Sequence, residues 1–314
     1  MKAFHLCVCS AAVVIELAVM PARPAYADDT NGFGSRLQAF RQMMASKREN
    51  DALKVSEEDL GALTQNAVRD SFDGRDIILY VPTQLPPQGQ RGMVVALHGG
   101  GGNAQFFKDH LKMDGVAEKY GFIVAYLNGT DASARLPGKM EAWNAGNGCC
   151  GEPYKTKVDD VGYITGAVHY LARKYGVNPK RVFGIGHSNG AMMTETLVCE
   201  TGLYQSAISL AGSLMAEVDS CPAARGKTIL AIHGMEDANV PPGGGKGSKG
   251  VTNIAYKSEA RSQSMFESSG GKYVIEWLQG TDHSLEHIAA TIQKTEGISL
   301  AEKAARFFGL APEK

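Results

Sequence analysis

From residue 76 onward, short apolar runs alternate with longer segments whose apolar positions recur three and four apart. Asp76–Val81 (DIILYV) predicts a strand stopped by Pro82, and Met93–Leu97 (MVVAL) is a continuous apolar run of the kind buried on both faces of a parallel sheet. Ala104–Tyr120 has helical period and stops at Gly121, after which Phe122–Tyr126 reads as the next strand. The alternation continues with a helix over Val158–Tyr175, a strand over Arg181–Ile185, a helix over Gly190–Glu200 and a strand over Ser206–Leu210. Strands at Thr228–Ile232 and Tyr273–Leu278 flank a helix at Ile254–Ser268, and helices at Ser284–Lys294 and Leu300–Phe308 close the pattern. This order predicts an α/β fold with a mostly parallel, twisted sheet and helices on both faces. Only a loop separates the strands at 206–210 and 228–232, so no large cap domain is expected and the cleft should be open.

The first 70 residues do not share this pattern. Lys2 precedes a mostly apolar stretch, Leu6–Val19, and Ala25-Tyr26-Ala27 supplies a small-x-small cleavage site, which together predict a signal peptide over 1–27. Residues 28–70 are polar and irregular, with a helical stretch near Arg36–Arg48, and read as an N-terminal extension before a single domain over 71–314. Export places the chain outside the cytoplasm, secreted or periplasmic. The four cysteines left, Cys149, Cys150, Cys199 and Cys221, are then expected in disulfides of open connectivity. Lys and Arg number 32 against 33 Asp and Glu, so no basic field exists to hold nucleic acid or an anionic membrane.

The chemistry is concentrated in four places. Gly186-His187-Ser188-Asn189-Gly190 follows a predicted strand and opens a predicted helix, the setting in which a sharp turn exposes a serine hydroxyl as nucleophile. Ser188 alone is nearly inert at neutral pH, so a base and an orienting acid must follow it in the chain. Asp237 sits on the loop leaving the strand at 228–232, with Glu236 as its rival. His283 sits after the last strand, with His287 one helical turn on; the remaining histidines read as structural. His98-Gly99-Gly100-Gly101-Gly102, directly after a buried strand, offers a bare backbone amide for an oxyanion, with Gly100 chosen as donor and Asn189 as the second. A phosphate-loop reading fails because no Gly-Lys-Ser/Thr follows. Two long loops, Leu127–Lys157 and the glycine-rich Pro241–Gly250, fall where such sheets build sites, and Trp143 and His187 are candidate pocket walls.

LHGGGGN, WNAGNGCCG, VDDVGYI, GIGHSNGAMM and HGMEDANVP together resemble the polyhydroxybutyrate-depolymerase-like esterases, a group that also holds feruloyl and acetyl-xylan esterases. The likeness runs from about Arg75 to the C-terminus. It implies an α/β-hydrolase fold and a serine esterase using Ser188, Asp237 and His283, with no metal or organic cofactor. Its expected substrates are hydroxyalkanoate oligomers or similar esters, with plant cell-wall esters as the alternative. An amidase, or a non-catalytic protein on the same scaffold, is the alternative of another class. The chain leaves no stretch for a polymer-binding domain, which favours oligomers and small esters over solid polymer.

Overall fold

The apolar runs of the sequence become the buried strands of one eight-stranded sheet. The structure, a computed structural model, describes residues 67–135, 140–250 and 252–313; the signal peptide expected over 1–27 and the helix expected near Arg36–Arg48 lie outside the described residues. The strands are β1 (Ala67–Phe72), β2 (Arg75–Tyr80), β3 (Arg91–Leu97), β4 (Ile123–Leu127), β5 (Val177–His187), β6 (Ser206–Leu210), β7 (Thr228–Gly234) and β8 (Lys272–Leu278). They lie in the order β1-β2-β4-β3-β5-β6-β7-β8. From β4 to β8 all neighbours are parallel, while β1 and β2 are antiparallel additions at one edge. This is the α/β-hydrolase fold.

Side chains alternate across the strands, so each strand feeds two cores. Met93, Val95 and Leu97 of β3 join the core under helices α4 (Asp160–Tyr175), α5 (Asn189–Glu200) and α6 (Glu259–Ser268). Val94 and Ala96 join the opposite core, under α1 (Ala104–Leu111), α2 (Asp114–Tyr120), α7 (Leu285–Glu296) and α8 (Leu300–Phe307). A further single-turn helix, α3, covers Gly151–Lys155. The segment 211–227 between β6 and β7 holds no helix or strand, so no cap is inserted there.

The helix expected from Ile254 begins only at Glu259, after a two-residue strand at Ala255–Tyr256, and two larger departures from the sequence pattern shape the packing. The helix expected over Ala104–Tyr120 is two helices, broken where Lys112 takes a left-handed conformation (φ 54°). Leu111 and Met113 are both buried. In one continuous helix they would sit about 200° apart, so one would face water; the break turns both inward. The second departure is β1, which begins inside the stretch read as extension. Its AVRDSF is mostly exposed and half polar, and it pairs with β2 through a tight turn at Asp73-Gly74, both at positive φ.

Cys199 at the end of α5 is bonded to Cys221, 22 residues on in the loop before β7. The sulfurs of the adjacent Cys149 and Cys150 face each other across one peptide bond. Closing the 22-residue loop between Cys199 and Cys221 restricts the unfolded chain by about 3 kcal/mol. Replacing Cys199 and Cys221 together by alanine should therefore lower the urea-unfolding free energy by about 2–4 kcal/mol. An unchanged midpoint would mean that this bond does not form.

Candidate active site

The chain leaves β5 at His187 and enters α5 at Asn189, so Ser188 alone makes the turn. Its backbone is held at φ 55° and ψ −120°, a conformation that side chains avoid and that costs on the order of 1–3 kcal/mol. The turn is possible because its flanks carry no side chains. A Cβ on Gly186 would strike the carbonyl of Gly190, and one on Gly190 would strike the Leu97 carbonyl of β3. The amide of Ser188 donates to Leu210 O of the next strand at 2.8 Å, which ties the turn to the sheet.

Two other segments converge on the serine. His283 lies between β8 and α7, just before Ser284, whose hydroxyl caps that helix. Its Nε2 is 2.9 Å from Ser188 Oγ and its Nδ1 is 2.6 Å from Asp237 Oδ2. A carboxylate can only accept, so Nδ1 carries the proton and Nε2 is left to accept from the serine hydroxyl. His187 donates from Nε2 to the carbonyl of His283 at 2.9 Å, and the two rings lie 5.1 Å apart. Burial, with the neighbouring His283 as a second cause, pushes His187 down to about 4, so that ring is neutral at neutral pH.

Asp237 follows β7 and is buried, whereas its rival Glu236 is exposed. Oδ1 of Asp237 accepts from the amides of Asn239 and Val240 at 2.8 Å each, leaving Oδ2 for His283. Burial opposes its charge, but hydrogen bonds from His233 and His283 outweigh that and hold the carboxyl well below the usual carboxylate range. His287 faces solvent and pairs with Asp282 at 2.8 Å, away from Ser188. The arrangement is a hydroxyl on an imidazole on a buried carboxylate, which can strip the proton from the serine as its oxygen attacks an electrophile.

The glycine turn after β3 lies over the first turn of α5. Gly101 donates to Glu141 O and Gly102 to Gly99 O. Gly100 faces Asn189, whose Cβ would lie 3.5 Å from a side chain placed there. Trp143 fixes this relation, and here the structure corrects the sequence reading. The indole is 0% exposed, so it has no face to offer as a pocket wall. Instead Nε1 donates to His98 O at 2.9 Å, while its backbone N–H and C=O bond the Asn189 side chain at 2.7 and 3.0 Å. Trp143 locks the glycine turn to the residue after the serine. The loop carrying it is anchored in turn by Asp160, which accepts from the Asn144 amide and pairs with Arg75.

His233, at the end of β7, was read only as structural. It lies against the carboxylate that meets His283: its Nε2 is 3.1 Å from Asp237 Oδ2 and its Nδ1 is 2.6 Å from Glu259 Oε1. The only sequence signal was its place immediately before Gly234 at a strand end.

Comparison with known proteins places the chain in a family. The phospholipase/carboxylesterase family matches residues 82–288, more than half of the chain, and the chain belongs to it. It is 32% identical over 118 residues to feruloyl esterase B of Neurospora crassa, covering 38% of this chain and 37% of that protein. It is 31% identical over 122 residues to an acetylxylan esterase of Coprinopsis cinerea, covering 38% and 30%. The chain thus spans under half the length of these relatives. Among solved structures, an acetyl xylan esterase from Aspergillus awamori matches with a TM-score of 0.52 at 17% identity, over 78% of this chain and 98% of that one. A carboxylesterase of Bacillus cereus matches with a TM-score of 0.51 at 15% identity, over 76% and 94%. These likenesses show the fold.

Replacing Trp143 by phenylalanine keeps the ring and removes the donor to His98 O. That leaves a buried carbonyl unpaired, and the expected loss of stability is about 1–3 kcal/mol in a denaturant titration. An unaltered unfolding curve would reduce Trp143 to filling.

Proposed function

We propose that this member of the phospholipase/carboxylesterase family is an exported serine esterase that hydrolyses carboxylic esters through an acyl-enzyme. The observation that carries the reading is the contact of His283 Nε2 with Ser188 Oγ at 2.9 Å, backed by Asp237 at 2.6 Å. In the first step Ser188 Oγ attacks the ester carbonyl while His283 takes its proton. Asp237 holds the ring in the correct tautomer and stabilises the imidazolium that forms. The tetrahedral oxyanion is received by the backbone amides of Gly100 and Asn189, the latter at the N-terminus of α5, where the helix dipole adds to the hydrogen bond. His283 then gives its proton to the departing alcohol, and water clears the acyl group by the same route. Every step uses side chains and amides of this chain.

The substrate reading draws on the relatives. Two are named for feruloyl and acetylxylan ester hydrolysis, and we read aryl and acetyl esters of plant cell-wall polymers as the favoured class. Hydroxyalkanoate oligomers, to which the sequence motifs point, are the second ester class to be tried. The export reading rests on residues 1–27, and the Cys199–Cys221 bond supports an oxidising compartment. No helix among the described residues is long and apolar enough to cross a membrane.

Ser188→Ala should abolish turnover of a short-chain chromogenic ester while leaving the unfolding curve intact; retained turnover would refute the assignment. A panel of feruloyl, acetyl and hydroxybutyrate esters, each with its matched amide, fixes the class. Cleavage of esters over amides is the expected result, and the reverse would make the chain an amidase.

A further inference from the structure

Behind Asp237, on the side away from Ser188, a row of ionisable side chains runs through the interior from β7 to α5. His233, Asp237, Glu259 and Glu195 are all at most 4% exposed. Burying so many charges costs several kcal/mol per ion, and apolar side chains of similar size would fill the space more cheaply. The arrangement therefore calls for a reason beyond packing, and its hydrogen bonds supply one.

His233 Nδ1 faces Glu259 Oε1 at 2.6 Å, while Nε2 faces Asp237 Oδ2 at 3.1 Å and the carbonyl of Val240 at 2.9 Å. With both carboxylates ionised, every partner of the ring is an acceptor, and each nitrogen must then carry a proton to be satisfied. Beyond it, Tyr273 on β8 lies 2.7 Å from Glu259 Oε2 and 3.1 Å from Glu195 Oε1. One phenol proton cannot serve two carboxylates. Ser209 already donates to Glu195 Oε1 at 2.5 Å, and Glu195 Oε2 is buried without a hydrogen-bond partner among the described residues. The hydrogen bonds are satisfied when a protonated Glu195 donates to Tyr273, Tyr273 donates to Glu259, and Glu259 receives the proton of an imidazolium at His233; the burial that raises Glu195 favours this over the reverse direction.

With the ester-hydrolysing reading above as premise, we propose that His233 is a positioning residue of that site: a charged imidazolium, braced by Glu259, Tyr273 and Glu195, that fixes the Asp237 carboxylate toward His283. The charge balance gives the bracing its purpose. Asp237 and Glu259 carry two negative charges and His233 one positive. The cluster becomes neutral when His283 takes the serine proton, so the buried charge is balanced at the step where the base is loaded. Burial alone would strip the proton from His233, but its two carboxylate partners win and raise it to about 10. Burial, and next the charge of Glu259, push Glu195 up to about 8. Other ionisable groups facing the row are Tyr256 and His187 toward Asp237 and Lys257 toward Glu195; none of them bonds His233.

The sign of the pH dependence follows. A histidine raised by its partners holds Asp237 at every pH below its own titration and lets go as pH rises through it. Glu259→Gln removes one carboxylate partner while keeping the size, so the ring deprotonates earlier. The alkaline limb of kcat should move to lower pH by at least about one unit, with KM little changed. His233→Gln should lower kcat by about 10²-fold, because Asp237 loses its rear anchor and His283 its aim. A merely structural role would move the unfolding curve and leave the pH limb and the split between kcat and KM in place, which would overturn the proposal. If His233→Gln does not fold, Glu259→Gln and the parent protein still decide. In a nitrogen-15 NMR spectrum of the histidine-labelled parent near neutral pH, both ring nitrogens of His233 should be protonated; one bare nitrogen would refute the imidazolium. The spectrum does not depend on turnover. A parent chain that cleaves no ester would thus sink the ester reading, while the ring's protonation is read independently.

Discussion

Everything at this site depends on one crowded crossing, where the first turn of α5 passes over the end of β3. The backbone there approaches so closely that Gly190 has no room for a Cβ against the Leu97 carbonyl. That closeness sets Ser188 on a turn with positive φ and brings the glycine loop after β3 beside Asn189. A wider crossing would drop the serine back into the helix and move the glycine loop away from Asn189. The strain at Ser188 is held by its surroundings: Leu210 takes its amide, and the parallel strands on either side leave it no alternative path.

Around that crossing the charges are arranged in layers. The imidazole of His283 is partly open to solvent, the carboxylate of Asp237 is buried behind it, and His233 and Glu259 are buried as well. A carboxylate so deep would ordinarily be neutral. Two backbone amides and two imidazoles supply enough donors to keep it charged, and the cost of burying them is met by large apolar cores on both faces of the sheet. The site is therefore a property of the interior as much as of the surface.

The sequence made the parallel sheet legible because strands buried on both faces read as unbroken apolar runs, as Met93–Leu97 does. It made the serine legible because glycines two before and two after mark a turn where side chains cannot fit. Asp237 and His283 were legible from chain order and strand ends. The exposed edge strand at Ala67–Phe72 is hidden in the sequence because only Phe72 of it packs against the core and Arg69, Asp70 and Ser71 interrupt its apolar positions, although Asp73-Gly74 announces a tight turn. Trp143 was misjudged because an aromatic residue in a long loop looks the same whether it lines a cleft or locks a backbone. What separates the two is a partner for its indole N–H, and that partner, His98 O, is 45 residues away. His233 and Glu259 were silent for the same reason: their roles lie in contacts across elements that no local spacing encodes.

The central claim is that Ser188 is a nucleophile activated by His283. Treating the folded chain with a fluorophosphonate and mapping the adduct by mass spectrometry tests it most directly. The expected result is a single adduct on Ser188 that disappears in a folded His283→Ala variant. An adduct on another residue, or labelling of Ser188 that is indifferent to His283, would contradict it.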